Sequence, residues 1–314
     1  MKKIISVALC TTILLAGCGL MSSKKEIPET VSVKDYDGRY IGDHDKKNEA
    51  FLEKHKGQAE KMYKDYVKEV FGKEAKINGI HSYSNPSPSL KTSEGISIVG
   101  TVDYDVPFQF YLSFVEVDGQ LALNTITQDQ ANEIRGVFAA MLYKRYEQDI
   151  ETARRKFKEV VEKDGYYAMN KKLEKHQEFS GVTKQYLDFT TKATIGVNEF
   201  KTDFKPVMEL KGEEFYQSMD KLILKYPEIK NEMKADFVAY YKDKDRKSVN
   251  EYNWDLQIPT NETMKKIHGD KGMYFFKDKV SPTDIDQYGR LESTTQEISM
   301  DGGMWDEYKK EENN

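Results

Sequence analysis

The chain has 314 residues, with 48 Lys and Arg against 53 Asp and Glu, a formal charge of −5. This mildly acidic balance, without a clustered basic stripe, argues against a nucleic-acid partner. Hydrophobic residues make up 38% and aromatic residues 12%, enough for a core in one larger or two smaller domains. The only cysteines are Cys10 and Cys18, too few for a disulfide framework.

The N-terminus combines Lys2 and Lys3, an apolar run from Ile4 to Leu15, and the sequence Leu15-Ala16-Gly17-Cys18. A basic start, an apolar stretch too short to span a bilayer stably and a small-residue cleavage site together read as a secretory signal. With a cysteine after the small pair, the segment resembles the lipobox of bacterial lipoproteins. The resemblance implies diacylglyceryl transfer to the Cys18 sulfur, cleavage before Cys18 and acylation of the new amino group by a palmitate-class chain. One acyl chain gives only marginal membrane binding, whereas two or three anchor stably. The expected division is a signal peptide over 1–17, a lipid anchor and tether over 18–45, an N-terminal α+β subdomain over 46–165, a C-terminal α+β subdomain over 166–300, and a disordered tail over 301–314. No later stretch approaches the length of a transmembrane helix. The expected location is the outer face of the cytoplasmic membrane.

From Lys47 to Phe71 the positions Leu52, His55, Ala59, Met62, Tyr63, Tyr66, Val70 and Phe71 recur every three or four residues, predicting an amphipathic helix closed by Gly72. The period then changes. Ala75 to Tyr83 is a strand candidate, and Ser84 to Ser89, with Pro86 and Pro88, must be a loop. Ile96 to Tyr104 and Phe108 to Val117 have strand composition, and Asp118-Gly119 turns the second of these back into Leu121-Ala122-Leu123. These segments predict an antiparallel meander of three or four strands.

Thr127-Gln128-Asp129-Gln130 has a capping-box pattern, followed by helical spacing from Ile134 to Val161. At 1.5 Å per residue this helix would span about 50 Å, more than a small sheet covers, so it is expected to kink or to pack on the second half of the chain. Beyond it, Gln185 to Val197 reads as a strand, and Gly212 to Lys225 and Pro227 to Tyr241 read as helices. Tyr252 to Ile258 and Met273 to Phe276 read as short strands flanking a helix at Thr263 to Ile267. The fold class is α+β: an antiparallel β-meander packed with long amphipathic helices, divisible into two subdomains.

Catalytic motifs are sparse. His44, His55, His81, His176 and His268 lack metal-ligand spacing, and no nucleophile elbow or cysteine nucleophile is present. Asp284-Ile285-Asp286-Gln287-Tyr288-Gly289-Arg290-Leu291-Glu292 imitates a calcium loop, making Asp284, Asp286 and Glu292 weak metal candidates. Thr295 stands where that loop needs its bidentate carboxylate, so an acidic turn is the preferred reading and no cofactor or metal is expected. Asp35-Tyr36-Asp37-Gly38 is a weaker imitation. Tyr166-Tyr167 and Tyr240-Tyr241 could line a carbohydrate or peptide site, although aromatic stripes more often belong to a core.

The order Val33-Lys34-Asp35-Tyr36-Asp37-Gly38, Tyr40-Ile41-Gly42, His55-Lys56, Tyr66, Phe71-Gly72 and then a meander resembles a family of lipoproteins of low-GC Gram-positive bacteria that forms a domain of unknown function. The Pro-Ser loop at 85–89 departs from that pattern. The resemblance implies the outer membrane face and no catalytic residues. The reading is a non-enzymatic surface lipoprotein that binds an unknown protein, peptide or cell-wall partner. The alternatives are a cell-envelope hydrolase with an unrecognised carboxylate site and the solute-binding receptor of a transporter.

Overall fold

The computed structural model describes residues 27–84, 94–124, 130–242, 270–283 and 296–299. Cys18, the Pro-Ser loop, the segments 252–258 and 263–267, the 284–292 loop and the tail from 301 lie outside them. Helix α1 (Lys46–Phe71) starts at Asp45, whose carboxylate accepts from the Lys47 and Asn48 amides at 2.8 and 2.9 Å. It ends at Gly72, whose φ of 69° is the left-handed value that suits glycine. Its buried positions, His55, Ala59, Tyr63, Val67, Val70 and Phe71, form one stripe.

That stripe lies on a four-stranded antiparallel sheet, β1 (Ala75–Ser84), β2 (Glu94–Val102), β3 (Phe108–Val117) and β4 (Gln120–Leu123), paired in chain order as the meander expected from the pattern. Ile96, Ile98, Val102, Phe108, Phe110, Leu112 and Phe114 alternate toward the core. Gly100 lets the helix approach: a Cβ there would sit 2.6 Å from the Tyr63 hydroxyl, which donates to the Phe110 carbonyl at 2.8 Å. Asp118 and Gly119, with φ of 51° and 80°, form the two-residue hairpin turn that joins Val117 to Gln120.

The long helical stretch is two helices, α2 (Gln130–Arg145) and α3 (Glu147–Lys163), broken at Tyr146. It both kinks and packs on the second half. Helix α2 is apolar on all sides from Val137 to Tyr143 because it runs between the sheets, with β3 on one side and β6 on the other. Helix α3 is amphipathic and buries Ile150, Ala153, Phe157 and Val161.

After the one-turn α4 (Lys171–Glu174) comes the second sheet, in the order β5 (Val182–Lys184), β6 (Leu187–Thr191), β7 (Met233–Tyr241), β8 (Asp270–Lys277) and β9 (Gln296–Ser299). Its pairs are antiparallel except β7 with β8. Between β6 and β7 the chain forms α5 (Val197–Glu199), a π-turn (Phe200–Phe204), α6 (Lys205–Met208), α7 (Gly212–Lys225) and α8 (Glu228–Asn231). Helix α7 occupies the residues that its periodicity predicts. The expectation of a helix from Pro227 to Tyr241 is corrected: only one helical turn forms, and Met233–Tyr241 is a strand. Both faces of β7 are covered and its residues other than Lys234 and Asp236 are apolar, so it shows no period-2 alternation, and periodicity alone cannot separate such a strand from a buried helix. The Gln185 to Val197 strand shortens to β6, and at its start Tyr186, at φ 72°, turns the chain between β5 and β6.

One buried cluster runs from Tyr63 through Phe110 and α2 to Phe237 and Phe275. A smaller one covers the other face of the second sheet, where Val33 and Tyr36 of the N-terminal segment pack with Met169, Leu173, Val238 and Tyr240. That segment is tied to the far end of the chain: Val33 N donates to Asp278 Oδ1 at 2.6 Å, and the Tyr36 hydroxyl donates to the Pro282 carbonyl at 2.6 Å.

Candidate functional site

Among the described residues the two sheets meet through one β-bridge, Gln109 with Gly181, whose backbone hydrogen bonds measure 2.7 and 3.1 Å. Beside the bridge a cleft of about 380 Å³ opens, lined by Thr101, Pro107, Phe108, Gln109, Arg154, Lys171, Glu174, Lys175, Thr183, Lys184 and Gln185. Each wall is held by a different element: Gln109 by β3, Arg154 by α3, Lys171 and Glu174 by α4, and Thr183 and Lys184 by β5. Helix α4 is fixed by Asn170, whose side-chain oxygen accepts from the Lys172 and Leu173 amides at 2.9 and 3.1 Å. The Gln109 amide donates to the Glu174 carbonyl at 2.7 Å, and Thr183 donates to Gln109 Oε1 at 3.1 Å.

Four cations face the cleft. Arg154 is committed to Glu151 Oε2 at 2.7 and 2.9 Å and to the Gln185 carbonyl at 3.2 Å. Among the described residues no carboxylate lies within salt-bridge distance of Lys171, Lys175 or Lys184. The carboxyl of Glu174 stands among them, and burial pushes its pKa up to about 7 against the pull of Lys171, Lys175 and Arg154.

A second, small cavity of about 20 Å³, which shares Glu174, Thr183 and Lys184 with the cleft, reaches Asp188. Asp188 is the antiparallel register partner of Asp236, so the two side chains share one sheet face. Burial, then Asp236, then Glu174 hold the Asp188 carboxyl well above the usual carboxylate range. Asp236 pairs with Lys234 at 2.8 Å. The arrangement places an electropositive mouth over carboxyl groups that favour their protonated forms. It can hold an anion, and Glu174 can donate or accept a proton near neutral pH.

The residues singled out from the sequence are scattered. His55 is buried on α1 with Nε2 3.0 Å from Glu116 Oε2, and exposed His44 contacts the Tyr40 carbonyl at 2.7 Å. His81 and His176, 95 positions apart, meet with Nε2 and Nδ1 3.4 Å apart. Asp37 pairs with Arg39 at 2.8 Å. Tyr166, Tyr240 and Tyr241 are buried, with Tyr166 packed on Tyr241 and Phe275. His268 and Asp284, Asp286 and Glu292 lie outside the described residues. Sequence reasoning missed Glu174, Asp188 and Asp236. A signal existed in Leu187-Asp188-Phe189 and Ala235-Asp236-Phe237, where a charge interrupts an apolar strand and so must be buried.

No family model matches the chain, and no curated protein matches it in sequence. Among solved structures it is similar to a DUF1672 family protein from Staphylococcus aureus, at 16% identity over 87% of this chain and 98% of that one, with a TM-score of 0.66. The two share a fold. A DUF5037 family protein from Ruminococcus gnavus aligns at 14% identity over 68% of this chain and 72% of the other, with a TM-score of 0.31. The Staphylococcus aureus protein belongs to a family named as a domain of unknown function, so that likeness brings an architecture and no activity.

Proposed function

We propose that this chain is a lipid-anchored protein of the outer face of a Gram-positive cytoplasmic membrane, and that the cleft between its sheets binds an anionic group, phosphate or carboxylate, of a peptide or cell-wall partner. The carrying observation is the set Lys171, Lys175 and Lys184 around Glu174, a carboxyl that stays largely protonated at mildly acidic pH and so leaves the mouth cationic. Isothermal titration of the detergent-solubilised chain with inorganic pyrophosphate and with citrate tests it. Saturable binding that weakens with salt and falls about tenfold in Lys171→Gln/Lys175→Gln supports the reading. Absence of binding to both probes, or an unchanged double variant, contradicts it.

The anchor rests on Cys18. In Cys18→Ala the protein should leave the processed membrane fraction, because no described helix is long and apolar enough to cross a membrane. Cell fractionation checks this, and a variant still processed and membrane-retained refutes the lipid assignment.

A hydrolytic reading has one supporting observation, the Glu174 carboxyl near neutral pKa with Asp188 behind it, the pattern of a general acid. Turnover of a wall-derived ester or glycoside, abolished in Glu174→Gln, would favour that reading over binding alone.

A further inference from the structure

Besides its cations, the cleft presents a strand edge. In the β5–β6 hairpin Lys184 pairs with Leu187, Thr183 with Asp188 and Val182 with Phe189. Lys184 and Leu187 flank the two-residue turn and so exchange both backbone hydrogen bonds, and in an antiparallel ladder the adjoining pair exchanges none. The N–H and C=O of Thr183 therefore point away from β6. Gly181, two positions earlier, points the same way: its N–H and C=O bond Gln109 of β3 at 3.1 and 2.7 Å.

Continued in antiparallel register from that bridge, the ladder would set residue 107 opposite residue 183. Residue 107 is Pro107, which has no N–H to donate, and β3 begins only at Phe108. The cleft opens where this pairing stops, with Pro107 and Thr183 both in its wall. Beyond Thr183 the Gln185 carbonyl is already taken by Arg154 at 3.2 Å. Thr183 is thus the open position of the edge: among the described residues its backbone N–H and C=O have no partner, although Thr183 is half-buried, where such groups are normally paired.

Resting on the anion-binding reading of this cleft, we propose that its occupant is an extended acidic peptide that adds to the β5 edge, one of its residues exchanging both backbone hydrogen bonds with Thr183 while its side-chain carboxylates meet Lys171, Lys175 and Lys184. Main-chain bonds to an exposed strand edge supply affinity and the side chains supply selectivity. An extended chain rises about 3.3 Å per residue, so acids at alternate positions lie on one face about 7 Å apart, and the cationic mouth is their complement.

The test titrates the full chain in detergent with the peptide acetyl-Glu-Val-Glu-Val-Glu-amide, with its fully N-methylated form, which keeps the carboxylates but cannot donate from its backbone, and with pyrophosphate. The peptide should bind saturably, and the N-methylated form at least about tenfold more weakly. Thr183→Val removes the hydroxyl and keeps the outward N–H, whereas Thr183→Pro removes that N–H at an edge position where proline is tolerated. Thr183→Pro should bind the peptide at least about tenfold more weakly than Thr183→Val, with circular dichroism confirming that both are folded; should Thr183→Pro not fold, the N-methylated peptide on the parent chain decides. Pyrophosphate binding with no peptide binding, or with equal binding of the two peptides, overturns strand addition and leaves the anion site standing. Binding of neither peptide nor pyrophosphate overturns both.

Discussion

Asp118 and Gly119 both take positive φ in the β3–β4 turn, a conformation glycine adopts without strain and a β-branched residue resists. A Cβ at 119 meets no atom within 4 Å, so the cost of Gly119→Val is backbone strain alone. A loss of about 1–3 kcal/mol is expected, and an unchanged denaturation midpoint would contradict the turn. Glu174 supplies a second test at this scale. Its ordinary value of 4.5 rises to about 7 in the fold, so between these values the folded state holds a proton that the unfolded state releases. Its contribution to stability therefore falls as pH rises through that window and levels off above 7. Asp188 acts in the same direction, whereas His81, lowered to about 4, acts oppositely. Glu174→Gln should consequently gain thermal stability relative to the parent chain from pH 5 to 7.5. A difference in melting temperature that stays constant with pH would contradict the burial of that carboxyl.

Helix α3 packs on the second sheet through Phe157, which is fully buried with ring centroids 5.3 Å from Phe237 and 6.0 Å from Phe275. Phe157→Ala should cost about 3–5 kcal/mol, read as a large drop in unfolding midpoint, and a shift under 1 kcal/mol would place α3 outside the core. Elements buried on one side were legible. The α1 stripe and the alternation of Phe108, Phe110, Leu112 and Phe114 carry the periods 3.6 and 2 because their opposite faces meet solvent or a different layer. Strand β7 was misread because both its faces are covered, and the break at Tyr146 was foreseen only from length, since neither glycine nor proline marks it. The cleft was illegible for another reason: Gln109, Arg154, Glu174 and Thr183 come from four elements, and no local spacing encodes a meeting set by packing.

At the scale of the whole molecule, the sheets share the sandwiched helix α2 and, among the described residues, one bridge at Gln109 and Gly181, so the cleft lies where the second sheet diverges from the first. The segment around Val33 and Tyr36 closes the far face of the second sheet by bonding to Asp278 and Pro282. An anion bound in the cleft as proposed would lie beside Glu174. An added negative charge disfavours the ionised carboxylate, so the bound state should raise the Glu174 midpoint. The direct measurement is the pH titration of the Glu174 side-chain carboxyl carbon by nuclear magnetic resonance, with and without saturating pyrophosphate. A midpoint displaced upward is expected when pyrophosphate is present, and a midpoint that does not move would contradict anion binding beside Glu174.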